Sequence, residues 1–286
     1  MAVDPVDAVA VPAEEAGPPD PADGDADAPG VDVLGYRLEA VDLATAATQV
    51  VALARSGGGG LVVTMNVDHA VQLEHPGALR DAYESATLRY ADGKPIVWLA
   101  QLTGRPLPAR VAGSDLVPLV LELAEQGGLR VHLVGGSPDV AAEAERRVLL
   151  AYPSLQWTGH VSPPRGFELH PALDLGIAQG IADQAPDIVL VCLGAPKQEA
   201  WGLRHQEVLA SSVLLCVGAA VDFLAGTKPR APEWMVTAGL EWLFRLVLEP
   251  RRLWRRYLVH DRRFLRLALQ AVLVSRRTGP GAGTGG

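Results

Sequence analysis

Five short clusters in the sequence carry residues suited to chemistry, and each ends an apolar run. They are Thr64 with Asn66, Asp92 with Gly93, Gly135 with Gly136, Gly194 to Gln198, and Gly218 to Asp222. Asp92 offers a carboxylate that could take a proton from a hydroxyl. As the Asp of an Asp-Gly pair it could equally serve a turn, and the pattern alone leaves both readings open. Gly135 and Gly136 precede a Ser-Pro helix start. Backbone N–H groups and a helix N-terminus beside a glycine turn suit an anion. The full G-x-G-x-x-G is missing, so a plain strand-to-helix turn fits as well. In "LGAPKQEAW", Pro196 suits a first helical turn, and Glu199 reads as a carboxylate favoured by the helix dipole. Gln198 could present its amide to a ligand. Asp222 could hydrogen-bond a loop or a ligand. Asp68, Asp115, Glu241 and Glu249 read as caps or surface partners.

Other chemistries find no footing. The seven histidines do not cluster along the chain. There is no nucleophile elbow for a Ser-His-Asp triad and no phosphate loop G-x-x-x-x-G-K-[ST]. No Cys/His spacing suggests zinc. No clear Asp-x-Asp in the folded part would hold a metal–diphosphate. No metal and no cofactor is therefore expected, and a leaving diphosphate would need arginines to balance it. The C-terminal end supplies them. Between Gly239 and Arg277, ten arginines stand against Glu241, Glu249 and Asp261, a net of about +7. Such an end suits an anionic ligand or surface.

The elements that must hold these clusters follow from the apolar periodicity. From Leu61 onward, strand-like runs alternate with helical stretches. "LVVTMN", "TLRYADG", "LRVHLVGG", "LQWTGHV", "DIVLVCLG" and "SSVLLCVGAAVDF" read as strands. "VDHAVQLEHPGALRDAYESA" reads as helix interrupted at Pro76, and Ser114 is expected to cap "DLVPLVLELAEQGG". Strands alternating with helices predict an α/β fold, a Rossmann-like, mainly parallel sheet covered by helices on both faces. In such sheets ligands bind at the carboxyl ends of the strands, where all five clusters fall. After Gly226 the alternation stops. "TKPRAPEWMVTAG" reads as a loop, followed by a helical appendage broken at Pro250 and near His260–Asp261. Leu240, Leu243, Phe244 and Val247 make one apolar face, and Leu253, Trp254, Tyr257 and Leu258 another. A basic amphipathic helix with aromatic anchors suits a membrane surface. Arg251, Arg256, Arg262 and Arg263 are expected to face anionic lipid.

Composition sets the boundaries. The chain has 286 residues and is 49% hydrophobic, so it can bury a sizeable core. Residues 1–30 carry eight acids and no Lys or Arg, equal to the whole chain's net charge of −8. That segment is expected to be a disordered tail, and it lacks the pattern of a signal peptide. The folded part is thus near neutral, which removes the objection that an acidic protein makes to an anionic partner. Cys192 and Cys216 sit in apolar runs and read as buried, reduced thiols. No run reaches the roughly 18 apolar residues of a membrane span. The expected organisation is a tail (1–30), a core (31–238), a basic appendage (239–277) and a flexible Gly-rich end (278–286).

Five blocks carry a resemblance to a known family. "RVAGSDL", "VHLVGGSPDVAAEA", "VCLGAPKQEAW", "VGAAVDFLAGTKPRAPEW" and "GLEWLFRLVLEPRRLWRRYL" occur in this order. Together they resemble the WecG/TagA/CpsF family of bacterial glycosyltransferases (glycosyltransferase family 26), from about Val33 to Leu269. The resemblance implies an inverting, metal-independent transferase with a membrane-associating C-terminal appendage. Well-known members move N-acetylmannosamine from UDP onto undecaprenyl-diphosphate-linked N-acetylglucosamine; relatives transfer N-acetylmannosaminuronic acid or glucose. By position, it implies that Asp92 is the general base and that Thr64 and Asn66 contact substrate. It places Gln198 near the nucleotide-sugar, and Arg245, Arg252 and Arg255 on diphosphate. Ala91 departs from the proline that many members carry there, with little expected effect on chemistry. The implied partners are a UDP-sugar, a lipid-diphosphate-linked glycan acceptor and an anionic membrane surface, with self-association. The implied location is the cytoplasm, at the inner face of the membrane. A chain cut after about Gly239 is expected to stay folded and be inactive.

Two other function classes remain to be weighed. One is a nucleotide-binding protein that uses the same crevice without catalysis. The other is a nucleic-acid module resting on the arginine–aromatic mixture, compatible with base stacking. No nucleic-acid motif accompanies those arginines, so no nucleic-acid partner is expected.

Overall fold

The structure is a computed structural model and describes residues 30–248, 250–255 and 262–278. The acidic tail up to residue 29 and the Gly-rich end from residue 279 lie outside the described residues. The chain opens with an antiparallel hairpin, β1 (Gly30–Val33) and β2 (Tyr36–Glu39). Its two turn residues, Leu34 and Gly35, both have positive φ, the geometry that matches strand twist in a two-residue hairpin. Helix α1 (Leu43–Arg55) follows, capped by Asp42, whose Oδ1 accepts from the Thr45 N–H at 2.8 Å. The sequence reading left residues 31–60 unassigned.

Among the described residues, six strands form the main sheet. They are β3 (Gly60–Met65), β4 (Leu88–Ala91), β5 (Arg130–Gly135), β6 (Gln156–Val161), β7 (Ile188–Cys192) and β8 (Val213–Cys216). Their order is β4-β3-β8-β7-β5-β6, and every neighbouring pair is parallel. The expected α/β, Rossmann-like parallel sheet is thus the observed architecture. β3, β7 and β8 are buried along their whole length, as continuous apolar runs dictate for a sheet covered on both faces.

Period-two alternation splits the core in two. In β7, Ile188, Leu190 and Cys192 face one side, with α1, α5 (Gly113–Gly127), α6 (Pro138–Ala151) and α9 (Ala220–Leu224). Val189 and Val191 face the other. That side is covered by α2 (Val67–Gln72), α3 (Ala78–Ser85), α4 (Lys94–Leu102), α7 (Pro171–Ala182) and α8 (Lys197–His205). The α2–α3 break falls at the expected Pro76.

The C-terminal region holds α10 (Glu233–Thr237), α11 (Glu241–Leu248), α12 (Pro250–Arg255) and α13 (Arg262–Thr278). Three details differ from expectation. Ser114 does not cap α5. The helix opens at Gly113, so Ser114 falls within its first turn, and the N-cap position, Ala112, makes no side-chain bond. The expected loop around "APEWMVT" contains α10, one turn started on the free Pro232 carbonyl, which accepts from Val236 N–H at 3.1 Å. Finally, α13 packs on the core. Phe264 is buried, and Leu267, Ala268, Ala271 and Val272 lie against the cluster beneath α2 and α4.

One glycine is required by contact. Gly135 ends β5 at φ +119°, and a Cβ there would sit 2.3 Å from the Cys192 carbonyl oxygen of β7. Gly135→Ala should therefore force both an unfavourable φ and a backbone clash, a cost of about 2–5 kcal/mol. Thermal denaturation should show a midpoint several degrees lower; an unchanged midpoint would remove the close β5–β7 approach.

Candidate active site at the carboxyl edge of the sheet

Because the six strands run parallel, the clusters singled out in the sequence all emerge on one edge. Along it they stand in the order Asp92 (β4), Thr64 and Asn66 (β3), Gly218 to Asp222 (β8), Gly194 to Gln198 (β7), then Gly135 and Gly136 (β5). With strands about 4.8 Å apart, Asp92 and the glycine pair lie about 20 Å from each other along the edge. Chain direction reverses between β5 and β7, since β5 leads outward to β6 and β7 leads back to β8. Such a switch point opens a crevice in doubly wound sheets.

Asp92 is half-buried and joins β4 directly to α4. Its N–H donates to the Met65 carbonyl at 2.7 Å, and Gly93 turns the chain at φ +102°. The Asp-Gly pair therefore does not turn a hairpin; β4 pairs only in parallel and passes into a helix. On the next strand, Thr64 is buried. Asn66 caps α2, with Oδ1 accepting from the His69 N–H at 3.0 Å. The cap uses the amide oxygen and leaves the nitrogen out of it.

At the far end, Gly135 and Gly136 both have positive φ and lead into α6, whose N-cap position is Ser137. Ser137 makes no side-chain cap bond. At the end of β7 the Ala195–Pro196 peptide is cis, and Pro196 takes the N-cap position of α8. Asp222 lies in α9, where Lys228 Nζ meets its Oδ2 at 2.9 Å. Asp115, read as a surface partner, is one: Arg110 reaches it at 2.7 Å and Arg230 at 3.0 Å.

The largest departure concerns Glu199. It is not a solvated first-turn carboxylate but fully buried, as is its neighbour Gln198. Gln198 Nε2 donates to Glu199 Oε1 at 2.7 Å, and His69 Nε2 lies 3.6 Å from the same oxygen. His69 Nδ1 is 2.7 Å from the Tyr83 hydroxyl. Burial first, then the charges of Glu199, Cys216 and Asp92, push the Tyr83 phenol well above its ordinary range. His69, Tyr83 and Glu199 thus form a buried polar chain that the sequence reading did not identify. The only available signal was that Tyr83 shares a helical face with Leu79 and Ala82; nothing local pairs His69 with a residue 130 positions away.

Arg245 lies in α11, and Arg252 and Arg255 in α12; their side chains fall outside the described residues, as do Arg256, Tyr257 and Leu258. Both cysteines are free and buried, and burial pushes the Cys192 thiol up to about 12. Among the described residues, no group of three or more His, Cys, Asp or Glu side chains could hold a metal ion. No helix among them is long and apolar enough to cross a membrane.

Sheet order, switch point and edge define a Rossmann-like α/β protein whose ligand end is the carboxyl edge. The family model for the glycosyl transferase WecG/TagA/CpsF family matches residues 31–278. The chain is also 31% identical over 200 residues to a protein of Bacillus spizizenii, covering 70% of this chain and 75% of that one. That relative is named N-acetylglucosaminyldiphosphoundecaprenol N-acetyl-beta-D-mannosaminyltransferase. A Bacillus subtilis protein of the same name is 30% identical with the same coverage. The chain belongs to the WecG/TagA/CpsF family, and it is a glycosyltransferase.

Proposed function

We propose that the protein transfers a sugar, N-acetylmannosamine or a related hexose or uronic acid, from a UDP-sugar to an undecaprenyl-diphosphate-linked sugar. The transfer inverts the anomeric centre and serves cell-wall or surface polysaccharide synthesis. The observation that carries this reading is the shared edge: Asp92 and the β5 glycine turn both end strands at the carboxyl edge of one parallel sheet, in a chain similar to two enzymes named for such a transfer.

An inverting displacement needs a single base on the face opposite the leaving group. Asp92 takes that role, removing the proton of the acceptor hydroxyl as its oxygen attacks the anomeric carbon and UDP leaves. Thr64 and Asn66 stand one strand away, where they contact substrate. Gly135 and Gly136, about 20 Å along the edge from Asp92, leave backbone N–H groups for the far, nucleoside end of an extended UDP-sugar. Arg245, Arg252 and Arg255 balance the diphosphate, a task that suits planar guanidinium forks.

Residues 31–238 serve as the catalytic core and residues 239–277 as the appendage that meets the inner face of the membrane. The appendage exposes Trp242, Val247 and Trp254, and α13 exposes a row of Leu265, Leu269 and Leu273. Exposed aromatic and aliphatic groups among arginines suit an anionic lipid surface.

The test is mass spectrometry of products formed from lipid-diphosphate acceptors with a panel of UDP-sugars. A product one sugar heavier supports the reading. UDP binding with no transfer from any donor would turn it into a non-catalytic nucleotide-binding protein.

A further inference from the structure

Gln198 and Glu199 open α8 just behind β7, and their exposures are 4% and 0%. A carboxylate only accepts hydrogen bonds, so the Gln198 nitrogen must be the atom that meets Glu199 Oε1 at 2.7 Å. The amide oxygen is thereby turned away. Among the described residues it has no hydrogen-bond partner, and it lies under the end of β8, where a Cβ on Gly218 would stand 3.5 Å from it. His69 stands near the same carboxylate oxygen. The Tyr83 hydroxyl lies 2.7 Å from His69 Nδ1, and His69 Nε2 lies 3.6 Å from the same Glu199 Oε1. One donor, the Gln198 amide of α8, hydrogen-bonds the buried carboxylate, and the imidazole of α2 stands next to it without hydrogen-bonding it. The second carboxylate oxygen, Oε2, has no protein partner. A fully buried carboxylate with an idle oxygen is a poor stabiliser, since its desolvation is incompletely offset. Its place is better explained by what it orients.

We propose that Glu199 is a positioning residue: it locks the Gln198 amide with its oxygen toward the Gly218 end of the crevice. The site then selects a ligand group that donates a hydrogen bond, either the imide N–H of the nucleotide base or a hydroxyl of its sugars. His69 and Tyr83 belong to the helices that follow β3, while Gln198 and Glu199 follow β7, so the pair packs where these elements meet. This inference rests on the nucleotide-sugar reading above.

The experiment is a double-mutant cycle read by calorimetric titration of UDP into the full chain. Gln198→Ala and Glu199→Gln should each weaken UDP binding about tenfold or more. If Glu199 acts through Gln198, the double variant should bind no worse than Gln198→Ala alone. Additive losses would overturn the proposal, because a purely structural carboxylate would act independently. Nitrogen-15 NMR of wild-type protein supplies a readout that needs no variant to fold: the Gln198 side-chain amide protons should be protected from exchange by the bond to Glu199, and a freely exchanging amide would overturn the lock. N3-methyl-UDP and 2′-deoxy-UDP separate the sources of the donor. The analogue that loses affinity for wild type but not for Gln198→Ala identifies the group read. Equal losses in both proteins, for both analogues, would overturn the selection of a donor. A wild-type chain that binds no UDP at all would sink the nucleotide-sugar reading; binding with additive losses would sink this inference alone.

Discussion

Asp92→Asn is expected to lower the turnover of sugar transfer by about 10²–10⁴, the range a positioned general base contributes. The substitution keeps shape and volume. The backbone bond from residue 92 to Met65 also remains, so the turn into α4 is preserved. What is lost is an oxygen able to take a proton. UDP affinity should stay within about twofold, because the proposed base acts on the acceptor hydroxyl and not on the nucleotide. The loss should therefore fall on kcat and not on nucleotide binding. Near-wild-type turnover in the variant would end the assignment of Asp92 as base.

Removal of residues 239–286 is expected to abolish transfer, and the structure adds a second cause to the one foreseen. The arginines of α11 and α12 go, and so does α13. Phe264 is only 7% exposed, and Leu267, Ala268, Ala271 and Val272 pack with it against the cluster under α2 and α4. Leu267 also walls a cavity of about 590 Å³ that Met65 and Tyr83 line. Stripping this helix exposes a contiguous apolar face and should cost the core about 3 kcal/mol or more. It would also loosen α2, which carries Asn66 at its cap, and α4, which starts beside Asp92. The truncated chain should melt several degrees lower as well as being inactive. The two causes separate in the full chain carrying Arg252→Ala with Arg255→Ala. That variant should keep its melting midpoint within about 2 °C and lose about 10–100-fold in kcat/KM. Robust transfer by the truncated chain would refute the need for the appendage. Unchanged transfer by the arginine variant would refute the diphosphate contact.

The site was legible in the sequence to the extent that it is local. A parallel sheet buries its strands on both faces, so β3, β7 and β8 appear as unbroken apolar runs, and the residues that end such runs must lie at the ligand edge. Asp92, Asn66, Gly135 and Gln198 were found in that way. The helices were legible through their 3.6-residue period and their glycine and proline ends. The misreadings were local as well: Ser114 resembled a cap, but the helix starts one residue earlier, at Gly113, so Ser114 lies inside its first turn.

What the sequence by itself determined is therefore the α/β class, the set of edge residues, the basic and amphipathic end, and the family. Each of these is recorded in residue type and spacing. Only the tertiary structure decided the strand order, in which β7 and β8 return to the centre between β3 and β5. It alone placed α13 on the core, and it alone made Tyr83, His69, Glu199 and Gln198 one buried chain. The physical reason is common to all three. Periodicity states which side of a helix or strand leaves water, but not which surface it meets. A polar side chain on a buried face therefore has no visible partner until packing brings a distant one to it.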